Sequence, residues 1–115
     1  MPSLHMGDRV YHFQTEVIER VVAPGQPGNY VLGEKAEAGE LYPKLIGRSD
    51  TDVKQEQRRK VGTANYGFFK VANSGPNNAY DLECAQYHRF RTQLDDMTHP
   101  ASTPGSGRTC FLCGL

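Results

Sequence analysis

Tryptophan is absent, cysteine occurs three times, and thirteen lysines and arginines face thirteen acids, so the formal net charge is zero. Each shortage excludes something. A balanced charge gives no whole-molecule field to draw the chain to nucleic acid or to a membrane, so any basic surface has to be local. No apolar run approaches the roughly 18 residues of a membrane span, and the opening MPSLHMGDRV lacks the apolar stretch of a secretory signal. The expectation is a soluble, cytoplasmic protein with no membrane partner. Three cysteines, an odd number gathered late in the chain, make no disulfide framework and read instead as metal ligands or free thiols. Mean hydropathy is low at −0.61, yet five Phe and six Tyr supply bulk for one modest core. A single domain over 1–115 is expected, with 95–115 as a distinct C-terminal tail.

Periodicity supplies the elements. DRVYHF (8–13) reads as a short strand or an extended lead-in, and TEVIERVVA as a helix capped by Thr15, stopped by the PGQPG at 24–28. NYVLGEK (29–35) and LYPKLIG (41–47) read as strands around a turn at Gly39, and Pro43 in the second is tolerated only at an edge, a bulge or the strand's start. Asp50, Thr51 or Asp52 caps a short helix VKQEQRRK, YGFFKVA (66–72) is the third good strand, and a long helix follows Pro76 over about 77–93. The order β-α-β-β-α-β-α predicts an α+β fold with a small mixed or antiparallel three-stranded sheet flanked by helices. The last helix is expected to pack through Ala79, Leu82 and Phe90.

Two features of the end of the chain carry chemistry. Cys84 and His88 lie four apart on the last helix and share a face, and Cys110-Phe-Leu-Cys113-Gly is a Cys-x-x-Cys knuckle. Together they offer four soft or borderline ligands, the number a closed tetrahedral Zn²⁺ site takes. A tail rich in Gly, Ser and Pro cannot hold itself down by burial, so a structural zinc stapling it to the helix answers that problem too. His99 is the rival fourth ligand; helical spacing favours His88. The second feature is Glu83, set among the apolar positions of the same helix. A buried carboxylate is costly unless paired or metal-bound, which predicts a salt bridge to an arginine or a hard cation such as Mg²⁺.

GNYVLG (28–33), KLIGRSDTDV (44–53) and AYDLE (79–83) resemble, in order and spacing, the motifs of the GIY-YIG nuclease superfamily over roughly residues 24–90. The resemblance implies a nucleic-acid phosphodiester hydrolase, a metal-dependent endonuclease with DNA the first candidate substrate. It implies that Tyr30 handles the attacking water, that Glu83 binds a catalytic Mg²⁺ or Mn²⁺, and that an arginine stabilises charge on the phosphate. Gly28 and Gly47 would allow close backbone approach. Two positions depart from the pattern: Leu45 stands where the second tyrosine is usual, and Gln55 and Glu56 stand where the helix arginine is usual. Arg48, with Arg58 as substitute, is the arginine expected to serve. The basic segment of Lys54, Arg58, Arg59 and Lys60 can track a phosphate backbone, though cations at a helix C-terminus are favoured in any case. The alternatives are a degenerate module of the same fold that binds nucleic acid or protein without cleaving it, and a thiol redox protein using Cys110 and Cys113.

Overall fold

The computed structural model describes residues 6, 9–62, 65–95, 99–102 and 105–114. Most of the N-terminal stretch, Asp8 at the start of the expected lead-in strand, and positions 96–98, 103, 104 and 115 of the tail lie outside the described residues. The fold is α+β. Four strands, β1 (Tyr11–His12), β2 (Gly28–Lys35), β3 (Leu41–Ser49) and β4 (Phe68–Asn73), form one sheet in the order β1-β4-β2-β3 with every pairing antiparallel. The expected three-stranded sheet is therefore present with the short β1 added against β4. Three helices complete it: α1 (Thr15–Val21), α2 (Val53–Lys60) and α3 (Pro76–Phe90).

Local chemistry accounts for the boundaries. Thr15 is the first helical residue of α1 rather than its cap; Gln14 holds the cap position without a side-chain bond. Of three candidate caps for α2, Asp52 serves, its carboxylate accepting the Gln55 N–H at 3.1 Å. Pro43 is accommodated in both ways a strand permits: β3 is an outer strand, and the β2–β3 register shifts at Leu32/Gly33, opposite Pro43. The chain leaving α3 then runs along the outer side of β3. There the Gln93 amide donates to the Pro43 carbonyl at 3.0 Å and the Asp95 N–H to the Lys44 carbonyl at 2.8 Å.

Strand β2 is central and covered on both faces. Tyr30 and Leu32 face α1 and α2, packing with Phe13, Ile18, Val22, Val53 and Phe69. Val31 faces the other way with Leu41, Ile46 and Phe90 of α3. Val31 and Leu32 are wholly inaccessible, burial worth about 1.5–3 kcal/mol each. Helix α3 is rolled relative to expectation: Ala79 and Phe90 point inward as predicted, but Leu82 is only half-buried, while Tyr80 and Cys84 are fully buried with Cys110 in a cluster of their own. No helix among the described residues is long and apolar enough to cross a membrane.

Candidate functional site

The rolled helix decides how the thiols and imidazoles meet. His88 from α3, His99 from the following loop, and Cys110 and Cys113 from the tail bring their four donor atoms within 4.8 Å of one another. Cys110 Sγ lies 3.5 Å from His88 Nε2, and Cys113 Sγ lies 3.3 Å from His99 Nε2. In a tetrahedral site with metal–sulfur bonds of ~2.3 Å and metal–nitrogen bonds of ~2.1 Å, adjacent S and N atoms stand about 3.6 Å apart. This His₂Cys₂ cluster could hold a metal such as zinc. Gly114 closes the knuckle, donating its N–H to the Cys110 carbonyl at 2.8 Å from a left-handed φ of 79°, and Phe111 and Leu112 project outward.

The donor set differs from the expected one at one position, with His99 and His88 both in the cluster and Cys84 outside it. Cys84 instead packs on Tyr80 and Cys110, and burial pushes its thiol up to about 12, so it stays protonated. Cys110 goes the other way. Burial works against its ionisation, but hydrogen bonds from the Leu112 and Cys113 backbone, then His99 and Cys84, bring it down to about 6, and the thiolate is the form that binds metal.

The residues singled out by the superfamily resemblance occupy two adjoining rungs of the β2–β3 ladder. Tyr30 pairs with Gly47, and Asn29 pairs with Arg48. Side chains alternate along a strand, so Tyr30 stands on the α1–α2 face while Asn29 and Arg48 stand under α3. The Tyr30 ring lies directly over Gly47, where an added Cβ would collide with it. Its hydroxyl donates to Glu56 at 3.4 Å, a long bond. Burial, then the charges of Glu56 and Glu83, raises the Tyr30 pKa well above the ordinary tyrosine value, so the phenol keeps its proton at neutral pH.

Beneath α3, Arg48 is held on three sides. Its Nη1 donates to Glu83 Oε1 at 2.6 Å, its Nε to Asp50 Oδ1 at 3.0 Å, and its Nη2 to the Ala101 carbonyl. The guanidinium also lies over the Tyr80 ring, 5.0 Å from its centroid. The salt bridge expected of Glu83 is thus present. Burial raises the Glu83 pKa and Arg48 partly counters it. Asn29 donates its amide to the Ala79 carbonyl at 2.8 Å, one turn before Glu83, while its Oδ1 is buried with no hydrogen-bond partner among the described residues.

The basic segment is largely engaged. Lys54 is buried and turned toward α1, donating to the Glu19 carbonyl at 3.2 Å and pairing with its carboxylate at 3.4 Å. Arg58 joins the same carboxylate at 2.5 Å, and Arg59 lies 3.9 Å from Glu56. Leu45 packs into the α1–α2 core opposite Leu32. Sequence reasoning passed over Asn29, Asp50, Glu56 and the Ala101 carbonyl. Alternation puts Asn29 on the face opposite Tyr30, whereas the resemblance set Glu83 at one site with Tyr30, so the sequence did not point to it; a backbone carbonyl in the tail leaves no signal. No protein-family model, curated protein or solved structure matches the chain.

Proposed function

We propose that the chain is a metal-dependent nuclease of GIY-YIG type, hydrolysing nucleic-acid phosphodiesters, with a zinc-stapled tail. One observation carries the reading. Arg48 from β3 and Glu83 from α3 meet at 2.6 Å on the α3 face of the sheet, with Asn29 across the ladder, and Tyr30 stands one rung away on the other face. Glu83 supplies a carboxylate for Mg²⁺ or Mn²⁺, a hard cation suited to oxygen donors; when bound, that ion would polarise the phosphate and neutralise developing charge. Arg48 is the group to grip a phosphate oxygen, its planar fork matched to that geometry. Tyr30, held protonated, donates to Glu56 on the other face; to orient the attacking water, as the resemblance implies, its hydroxyl would have to turn from that bond. Zinc fits the His₂Cys₂ cluster in ligand type, number and spacing, and four protein ligands leave it no open position, so its role is structural.

The second reading, a binding module without catalysis, is favoured by a specific fact: Tyr30 and Glu83 approach from opposite faces of the sheet, and Arg48 already neutralises Glu83. Nicking of supercoiled DNA with Mg²⁺ or Mn²⁺ separates the two. Wild type should cleave, and Glu83→Gln and Tyr30→Phe should each lose at least ~10²-fold in rate with zinc content unchanged. No cleavage of DNA or RNA with either metal would hand the case to the binding module.

A further inference from the structure

Arg48 sits in a chamber whose other walls suit a different occupant. We infer that the Arg48 guanidinium is a placeholder for the divalent cation: a nucleic-acid phosphate draws the arginine out, the cation enters the vacated cage, and substrate and metal therefore bind cooperatively. This rests on the nuclease reading and adds a regulation of its metal site.

Apart from the Tyr80 ring over the guanidinium, the polar walls are oxygen. Glu83, Asp50 and the Ala101 carbonyl accept from Arg48, and Asn29 stands directly across the ladder from it. Among the described residues neither sulfur nor imidazole bonds to the guanidinium, in contrast to the His₂Cys₂ cluster, so the cage selects a hard ion such as Mg²⁺ or Mn²⁺ over zinc. The charges agree. Two carboxylates face the single guanidinium, and a divalent ion in its place would balance both.

Asn29 supplies the independent sign of a missing ligand. The residue is wholly inaccessible, its amide nitrogen is committed to Ala79, and its Oδ1 lacks a partner among the described residues. A buried acceptor left unpaired costs free energy. Three of the five N–H donors of Arg48 go to Glu83, Asp50 and the Ala101 carbonyl and none reaches that oxygen; a cation or its coordinated water would use it.

Arg48 also has a way out. It lies next to the end of an outer strand, on a flexible stem, and a phosphate offers it the bidentate bonding it now finds spread over three acceptors. If the metal favours the cage with Arg48 withdrawn and phosphate favours Arg48 withdrawn, each must raise the other's affinity by the same factor.

The test uses the zinc-loaded 115-residue chain and follows free Mn²⁺ by electron paramagnetic resonance, with and without a short phosphorothioate DNA duplex that resists cleavage. DNA should tighten Mn²⁺ binding to wild type about tenfold, within the usual range of such couplings. Arg48→Met should bind Mn²⁺ about tenfold more tightly than wild type without DNA and gain nothing further when DNA is added. Arg48→Lys, which keeps a cation but not the fork, should fall between them, and Glu83→Gln should lose the site; zinc content and circular dichroism check that each variant is folded. Mn²⁺ affinity no higher in Arg48→Met than in wild type, or indifferent to bound DNA in wild type, overturns the inference. Absence of DNA binding in every form sinks the nuclease reading and the phosphate half of the inference, whereas the DNA-free comparison of Arg48→Met with wild type judges the placeholder alone.

Discussion

Gly47 and Tyr30 constrain each other: the ring occupies the space where any side chain at 47 would begin. The ring is 3% exposed and cannot tilt away without disturbing Ile18, Leu32 and Val53 in the same core. Gly47→Ala should therefore cost about 1–3 kcal/mol, the scale of overpacking one methyl group, read as a lower urea midpoint at unchanged slope. It should also move the hydroxyl off Glu56, so any nuclease activity should fall with stability. Gly28 is tight for another reason, since a Cβ there would meet the Ala72 carbonyl of β4. Both glycines were legible as sites of close approach; which atoms they admit was not, because that depends on the cross-strand register.

At the scale of elements, the strands and helices could be read from periodicity because each carries its own pattern. Even Pro43 announced an outer strand or a bulge, and it has both. The His/Cys cluster that could hold a metal was legible in type but not in membership. Four-residue spacing correctly says that Cys84 and His88 share a face, but α3 is rolled so that Cys84 is buried against Cys110 and only His88 joins the donor cluster, and the route of the loop carrying His99 is a tertiary fact. Helix α3 and the tail are joined through that cluster and through the Arg108–Asp81 pair. Cys113→Ser, or stripping metal with a chelator, should free the tail, lower the melting temperature and speed amide exchange over 105–114, because metal binding is coupled to folding. Exchange in the β2–β3–β4 ladder should change far less. Uniform loss of protection would instead show that the cluster supports the whole domain.

Across the whole molecule, two buried phenols set an alkaline limit. Burial first, and then nearby negative charge, raises the pKa of Tyr30, and burial raises that of Tyr80 to about 12, above the ~10 of an unfolded chain. A raised folded pKa favours the protonated form, so this stability is complete below about pH 10 and disappears as pH climbs through the folded values. In a spectrophotometric titration, the phenolate absorbance removed by Tyr80→Phe should lie near pH 12 and coincide with alkaline unfolding. Amplitude lost near pH 10 would mean Tyr80 reaches solvent.

The segment lying along β3 has one more consequence. An uncovered strand is a template on which another copy can hydrogen-bond, the first step toward aggregation or domain swapping. Here the opposite border of the sheet ends in a two-residue strand, too short to recruit a neighbour, and β3 is blocked by Pro43, which has no N–H to offer, and by the Gln93 and Asp95 bonds to its outward carbonyls. Proteolysis just after Phe90 would do more than release the metal cluster: it would leave a nine-residue strand open to pairing, turning a chain that keeps its hydrogen bonds to itself into one that shares them with its copies.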